Sequence, residues 1–205
     1  MIQVICADIS NLREDNYRVL CEKASPERRN RAARYRNTED AARCIAADAL
    51  LRHALGTDTY TIARMPGGKP CIPERPEFHC NLSHSGNWVV IAFGETPVGV
   101  DVEKIRQDTD TDALARRFFA PQEQRFLKES ASDERQRFFE IWTKKESYLK
   151  FLGAGLTKDL RSFNVLDPQP GIRYFGQTLP GGYCLSLCTT EESCRFTILN
   201  ANELK

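Results

Sequence analysis

Apolar and polar positions alternate between two periods along this chain, and the switches mark its elements. Residues 2–9 are mostly apolar and free of turn formers, which predicts a strand. Ser25-Pro26-Glu27 predicts a helix start, with a capping hydroxyl followed by proline at the first helical position. Thr38 predicts a second cap, with Glu39 and Asp40 in the first turn. Ala42, Ile45, Ala46 and Ala49 then recur at i, i+3, i+4 and i+7, and Gly56 supplies a stop. The stretch 65–80, rich in Pro and Gly, reads as loop, and so does Asn81–Gly86. Residues 88–94 read as a buried strand that Thr96-Pro97 breaks, and Val98–Glu103 as another. Pro121 opens a helix, a longer one runs from about 133 to 152, and Gly153 stops it. From 162 to 199 short strands are divided by Asp-Pro-Gln-Pro-Gly and Pro-Gly-Gly turns.

The order strand, helices, strands occurs twice, which predicts an α+β architecture of two halves, 1–97 and 98–205, with no residue-level repeat between them. Composition narrows the class further. The chain has 205 residues, 41% hydrophobic and 28% charged, an ordinary globular composition. Its 29 basic and 28 acidic residues leave a net charge of +1, which disfavours a nucleic-acid binder. No apolar run reaches the length of a membrane span, and the start lacks the pattern of a signal peptide, so the expectation is a cytoplasmic protein with no membrane association. Eight cysteines are present without a Cys-x-x-Cys pair, and they read as reduced, small hydrophobes rather than zinc ligands. Cys71, His79, Cys80 and His84 can be drawn as a metal site, but their spacing matches no zinc pattern.

Candidate chemistry lies in five places. The strand Val98-Gly99-Val100-Asp101-Val102-Glu103 alternates strictly and puts Asp101 and Glu103 on one face, about 6.6 Å apart along the strand. Two such carboxylates repel unless a cation lies between them, and magnesium suits one or two carboxylates plus phosphate oxygens. The alternative is a solvated acidic face. Glu146 and Lys150 are i, i+4 partners on the long helix, either a surface ion pair or a third carboxylate beside a lysine for phosphate or proton transfer. Asn81-Leu82-Ser83-His84-Ser85-Gly86 suits an anion-binding loop or a self-satisfied turn. Gly67-Gly68-Lys69-Pro70 carries one lysine. Six arginines between 28 and 43 offer phosphate forks or a solvated helix face. An acidic metal cluster with separate cations suits a substrate bearing several phosphates and transfer at a pyrophosphate.

Together these segments resemble the successive motifs of the 4'-phosphopantetheinyl transferases: Gly68-Lys69-Pro70, Asn81–Ser85, Val98–Glu103 and Trp142-Thr143-Lys144-Lys145-Glu146-Ser147-Tyr148-Leu149-Lys150. Ser25–Arg29 and Glu39–Arg43 extend the likeness, which is to the long, monomeric type that activates non-ribosomal peptide and polyketide synthases. The resemblance implies two similar halves about a pseudo-twofold axis, with coenzyme A in the cleft between them. It implies magnesium held by Asp101, Glu103 and Glu146 with the pyrophosphate, and Lys150 at that pyrophosphate. Arg28, Arg31, Arg43, Lys69 and His84 then hold the nucleotide and its 3'-phosphate, with Ser83 beside them. A serine of an apo acyl or peptidyl carrier protein attacks the β-phosphate, and 3',5'-ADP leaves. Among Asp101, Glu146 and Lys150 as the catalytic set, Glu146 is the first choice for general base, directly or through water. Arg28 and Arg31 stand where relatives often carry lysine, so fork geometry replaces a point charge. The competing readings are a magnesium-dependent phosphohydrolase or nuclease using the same three acids, and a binding module using the arginine helix; both leave the Trp142–Lys150 block without a purpose.

Overall fold

The structure is a computed structural model that describes residues 1–65, 67–129, 133–153 and 158–204. Its first strand, β1 (Ile2–Asp8), is followed by three helices, α1 (Glu14–Lys23), α2 (Pro26–Ala32) and α3 (Thr38–Leu55). Ser25 caps α2 as its sequence predicts. Asn37 rather than Thr38 caps α3, its side chain accepting the Glu39 N–H, and Gly56 ends the helix in the left-handed region at φ 65°. Two short strands, β2 (Ala63–Arg64) and β3 (Pro70–Cys71), lead to the hairpin of β4 (His79–Ser85) and β5 (Trp88–Gly94). Then come β6 (Val98–Lys104), α4 (Thr111–Phe118), α5 (Pro121–Leu127) and α6 (Glu134–Leu152), the last closed by Gly153 at φ 66°. Strands β7 (Arg173–Leu179), β8 (Tyr183–Thr189) and β9 (Cys194–Asn200) complete the chain. The mixed α+β class agrees with the sequence reading. No described helix is long and apolar enough to cross a membrane.

Seven of the strands form one sheet in the order β4-β5-β1-β9 and a second in the order β6-β8-β7, and β2 and β3 pair with each other alone. All neighbours are antiparallel except β1 and β9, which run parallel with Ile2 opposite Cys194 and Asp8 opposite Asn200. Backbone hydrogen bonding therefore runs across the division at Pro97: the last strand completes the first sheet. The two sheets face each other across a core of Ile2, Val4, Trp88 and Val90 from the first and Val98, Val100, Val102 and Leu187 from the second. The outer face of the first sheet, with Ile5, Ala7 and Ile91, is covered by α1 and α3. Aromatic residues of α4 and α6, with Leu127 of α5, build a third cluster beside the second sheet.

The segment 81–85 departs from expectation, since it is strand and not loop. Asn and Ser favour turns in isolation, but here they alternate across a pleat. Cys80 and Leu82 pack into the α3 core, while Asn81, Ser83 and Ser85 face the second sheet. Gly86 and Asn87 are the two-residue turn of the hairpin, with Gly86 at φ 51°. That dipeptide, between the alternating run 79–85 and the apolar run 88–94, is the signal that identifies the hairpin.

Candidate active site

The strand β6 aims as its alternation predicts. Its valines are fully buried between the sheets, and its other face turns toward α6. Gly99 is the point of contact. A Cβ there would lie 2.0 Å from the Ser147 carbonyl oxygen and 2.3 Å from the Phe151 nitrogen, so only glycine lets α6 lie directly on the strand. Two residues further along, Asp101 meets Lys150 of that helix. Lys150 Nζ donates to Asp101 Oδ1 at 2.7 Å, to Ser83 Oγ at 3.0 Å and to the Val100 carbonyl at 3.1 Å. The Asp101 side chain is 6% exposed, and its second oxygen, Oδ2, is buried with no hydrogen-bond partner among the described residues.

Glu103 and Glu146 flank Asp101. Burial first, and then the charge of Asp101, push the Glu146 carboxyl above the ordinary range, with Lys150 pulling the other way. The same two causes raise Glu103, against a hydrogen bond from Ser85 at 2.9 Å and the charges of Lys150 and Arg106. The structure thus brings Asp101, Glu103, Glu146, Lys150 and Ser83 into one electrostatically coupled cluster. Among the described residues no three His, Cys, Asp or Glu side chains converge tightly enough to hold an ion as they stand, Cys71, His79, Cys80 and His84 included. All eight cysteines are free thiols.

A cavity of about 240 Å³ opens beside the cluster, lined by Lys69, Asn81, Glu146, Leu149, Lys150 and Gly153 among others. Lys69 reaches across it to donate to the carbonyls of Val98 at 2.8 Å and Phe151 at 3.3 Å, and burial lowers its ammonium from the ordinary lysine range. His84 lies on the opposite face of β4 from Ser83, toward α3. There desolvation first, and then Arg43 and Lys150, hold its imidazole below the ordinary histidine range. Arg43 grips the hairpin turn through the Gly86 carbonyl at 2.6 Å and pairs with Asp40 at 2.6 Å. Arg28 and Arg31 stand on α2. The first approaches buried Asp48 at 4.0 Å and the second donates to the Tyr35 hydroxyl at 3.3 Å. Among the described residues, no hydrogen bond or ion pair joins either of them to His84 or Arg43.

Three residues take roles that the residue-level reading did not give them. Asn81 and Ser85 line the site through the pleat of β4, and strand periodicity at 79–85 is the signal that finds them. Lys145, which the sequence puts on an apolar seam, is fully buried and pairs with equally buried Glu123 at 2.7 Å. No local pattern marks that partnership across 22 positions.

A buried carboxylate cluster beside a lysine-lined cavity, with further cations on the neighbouring helices, is the equipment of an enzyme that handles a phosphate-bearing substrate. Comparison with known proteins gives the family. A model described as the 4'-phosphopantetheinyl transferase superfamily matches residues 97–196. The chain is 38% identical over 154 residues to the 4'-phosphopantetheinyl transferase Sfp of Bacillus subtilis (strain 168), covering 72% of this chain and 68% of that one. It is 35% identical over 175 residues to 4'-phosphopantetheinyl transferase psf-1 of Bacillus pumilus, covering 80% and 74%. It is 32% identical over 171 residues to 4'-phosphopantetheinyl transferase gsp of Aneurinibacillus migulanus, covering 80% and 70%. The chain belongs to the 4'-phosphopantetheinyl transferases.

Proposed function

We propose that this enzyme transfers the 4'-phosphopantetheine arm of coenzyme A to a serine of an apo acyl or peptidyl carrier protein and releases 3',5'-ADP. The observation that carries the chemistry is Asp101: a buried carboxylate with one oxygen tied and the other unpartnered, flanked by two carboxyls whose charge the surroundings resist. A buried polar atom without a partner is costly. A divalent cation would relieve all three groups at once, and oxygen donors of this kind fit magnesium. Asp101, Glu103 and Glu146 would hold it, and it would neutralise charge on the pyrophosphate during transfer.

The chain's own residues supply the rest. The attacking serine oxygen forms a bond to the β-phosphorus, and the bond from that phosphorus to the bridging oxygen breaks. Glu146 accepts the serine proton, directly or through a water molecule. Lys150 sets a positive charge beside the pyrophosphate. His84, Arg43, Arg28, Arg31 and Lys69 orient the nucleotide and its 3'-phosphate. Leu149 gives the cavity an apolar wall that limits water, the competing nucleophile.

The test is one incubation of apo carrier protein, coenzyme A and magnesium, read by intact mass and nucleotide analysis. A carrier heavier by one phosphopantetheine with release of 3',5'-ADP supports the assignment. Breakdown of coenzyme A with the carrier unchanged replaces it with a phosphohydrolase.

A further inference from the structure

The hydroxyl of Ser83 has one proton to donate and two lone pairs to accept with, and the structure uses all three. It donates to Asp101 Oδ1 at 3.0 Å and accepts from Lys150 Nζ at 3.0 Å and from the Val102 N–H at 3.3 Å. In this arrangement its one proton goes to Asp101, which leaves it no donor for a phosphate oxygen. Ser85 repeats the arrangement one pleat further on. It donates to Glu103 Oε2 at 2.9 Å and accepts from the Lys104 N–H at 3.1 Å. Asn81 begins the series by accepting the Val100 N–H at 2.9 Å. The side chains at 81, 83 and 85 thus take up the edge N–H groups of β6 at 100, 102 and 104, a ladder made by side chains where a neighbouring strand would supply carbonyls. The pleats of the two strands are in step, so each serine of Ser83-x-Ser85 meets one acid of Asp101-x-Glu103.

We infer that Ser83 and Ser85 are positioning residues: each fixes one oxygen of its partner carboxylate, leaving the other oxygen to face the cluster, and Ser83 also sets the place of Lys150. The inference rests on the proposed transfer function and gives the two serines a role distinct from contact with coenzyme A. It also accounts for the orientation of Asp101, whose Oδ1 is held while Oδ2 has no partner. A hydroxyl is the smallest side-chain group that both donates to a carboxylate and accepts from a backbone N–H. Alanine at 83 would leave the Val102 N–H without its acceptor and Asp101 and Lys150 each short of a hydrogen bond.

The experiment compares the wild-type chain with Ser83→Ala and Ser85→Ala, each checked for folding by thermal unfolding. Coenzyme A binding is measured calorimetrically in EDTA, and transfer is followed against both coenzyme A and magnesium concentration. The expected result is coenzyme A affinity in EDTA unchanged within about twofold, with kcat lower or the half-saturating magnesium concentration higher by about 10- to 100-fold, the usual cost of removing a hydrogen bond that orients a metal-binding group. Weakened coenzyme A binding with wild-type kcat and magnesium dependence would make the hydroxyls substrate ligands and overturn the inference. So would variants indistinguishable from wild type in every measurement. If Ser83→Ala fails to fold, Ser85→Ala and the hydroxyl-retaining Ser83→Thr carry the same comparison. Absence of transfer by the wild-type chain itself would instead refute the function on which the inference rests.

Discussion

Replacing Lys145 by methionine tests whether the motif around Glu146 is built on a buried ion pair. The ammonium has three protons, and they go to Glu123 Oε2 at 2.7 Å, the Leu160 carbonyl at 2.7 Å and the Phe163 carbonyl at 2.8 Å, with the Phe163 ring 4.3 Å away. Glu123 in turn accepts the N–H groups of Ala120 and Val165, so one pair ties α6 to the start of α5 and to the segment after 158. Burial lowers the lysine from its ordinary range and Glu123 opposes that shift. Methionine keeps the apolar stem and deletes the charge. Glu123 then remains as a buried carboxylate without a cation, a loss of about 3–5 kcal/mol. The two stranded carbonyls add to the cost, but the same ammonium serves all three acceptors, so the terms overlap and about 4 kcal/mol is expected. Against a domain stability of about 5–15 kcal/mol this is a large fraction. Urea unfolding followed by the fluorescence of Trp88 and Trp142 measures it. Glu123→Gln in the Lys145→Met background removes the orphan charge and should return at least about 1 kcal/mol. A single-variant loss below about 1 kcal/mol, the scale of an exposed pair, or a double variant as unstable as the sum of the two singles, would refute the reasoning.

Three further outcomes follow from the site. Glu103→Gln should keep the fold and lose transfer by about a hundredfold, with partial recovery in excess magnesium, because an amide lacks the charge that magnesium prefers; transfer rate against magnesium concentration, with circular dichroism for folding, checks it, and a wild-type rate at limiting magnesium counts against it. Glu146→Gln separates stability from activity. A glutamate raised in the folded state binds its proton more tightly there than in the unfolded chain, so its contribution to stability falls as pH rises through the ordinary glutamate range toward the raised value. The variant should therefore be at least as stable as wild type at pH 7, with no such advantage at pH 4, while transfer is lost; a lower melting temperature at pH 7 alone would contradict this. His84→Ala should weaken coenzyme A binding by about 1–3 kcal/mol, the size of a charge-assisted hydrogen bond, and an unchanged calorimetric affinity in a folded variant would remove His84 from the site.

Those elements whose boundaries are written locally were legible in the sequence. Gly56 and Gly153 stop α3 and α6 in the left-handed region, and the alternation of Val98–Glu103 correctly separates the buried valines from the acids. The placement of Glu146 and Lys150 on one helix face follows from 3.6-residue periodicity, and both line the cavity. The rest depends on distant partners. Asn81, Ser83 and Ser85 carry turn propensities, which the antiparallel pairing of β4 with β5 overrides. Helices α1 and α4 span only ten and eight residues, and neither opens on proline nor closes on glycine. Lys69 is a loop lysine in sequence, yet it lies partly buried on two carbonyls that belong to β6 and α6. The parallel pairing of β9 with β1 has no local signature, since it joins positions 2 and 194.

That last pairing sets an order on folding. β1 is made nearly two hundred residues before the strand that covers its outer edge. Until then the N–H and C=O groups along that edge are open, and the apolar face of Ile2, Val4 and Cys6 lacks its cover from Leu185 and Leu187. An uncovered edge of this kind is a template for pairing with other chains, and contacts across so long a loop form slowly. Residues 1–97 made alone would keep both exposures permanently and collect as aggregate. Pairing with β9 closes that edge of β1 and leaves β9, whose residues are exposed or only half-buried, as the outer strand of the sheet.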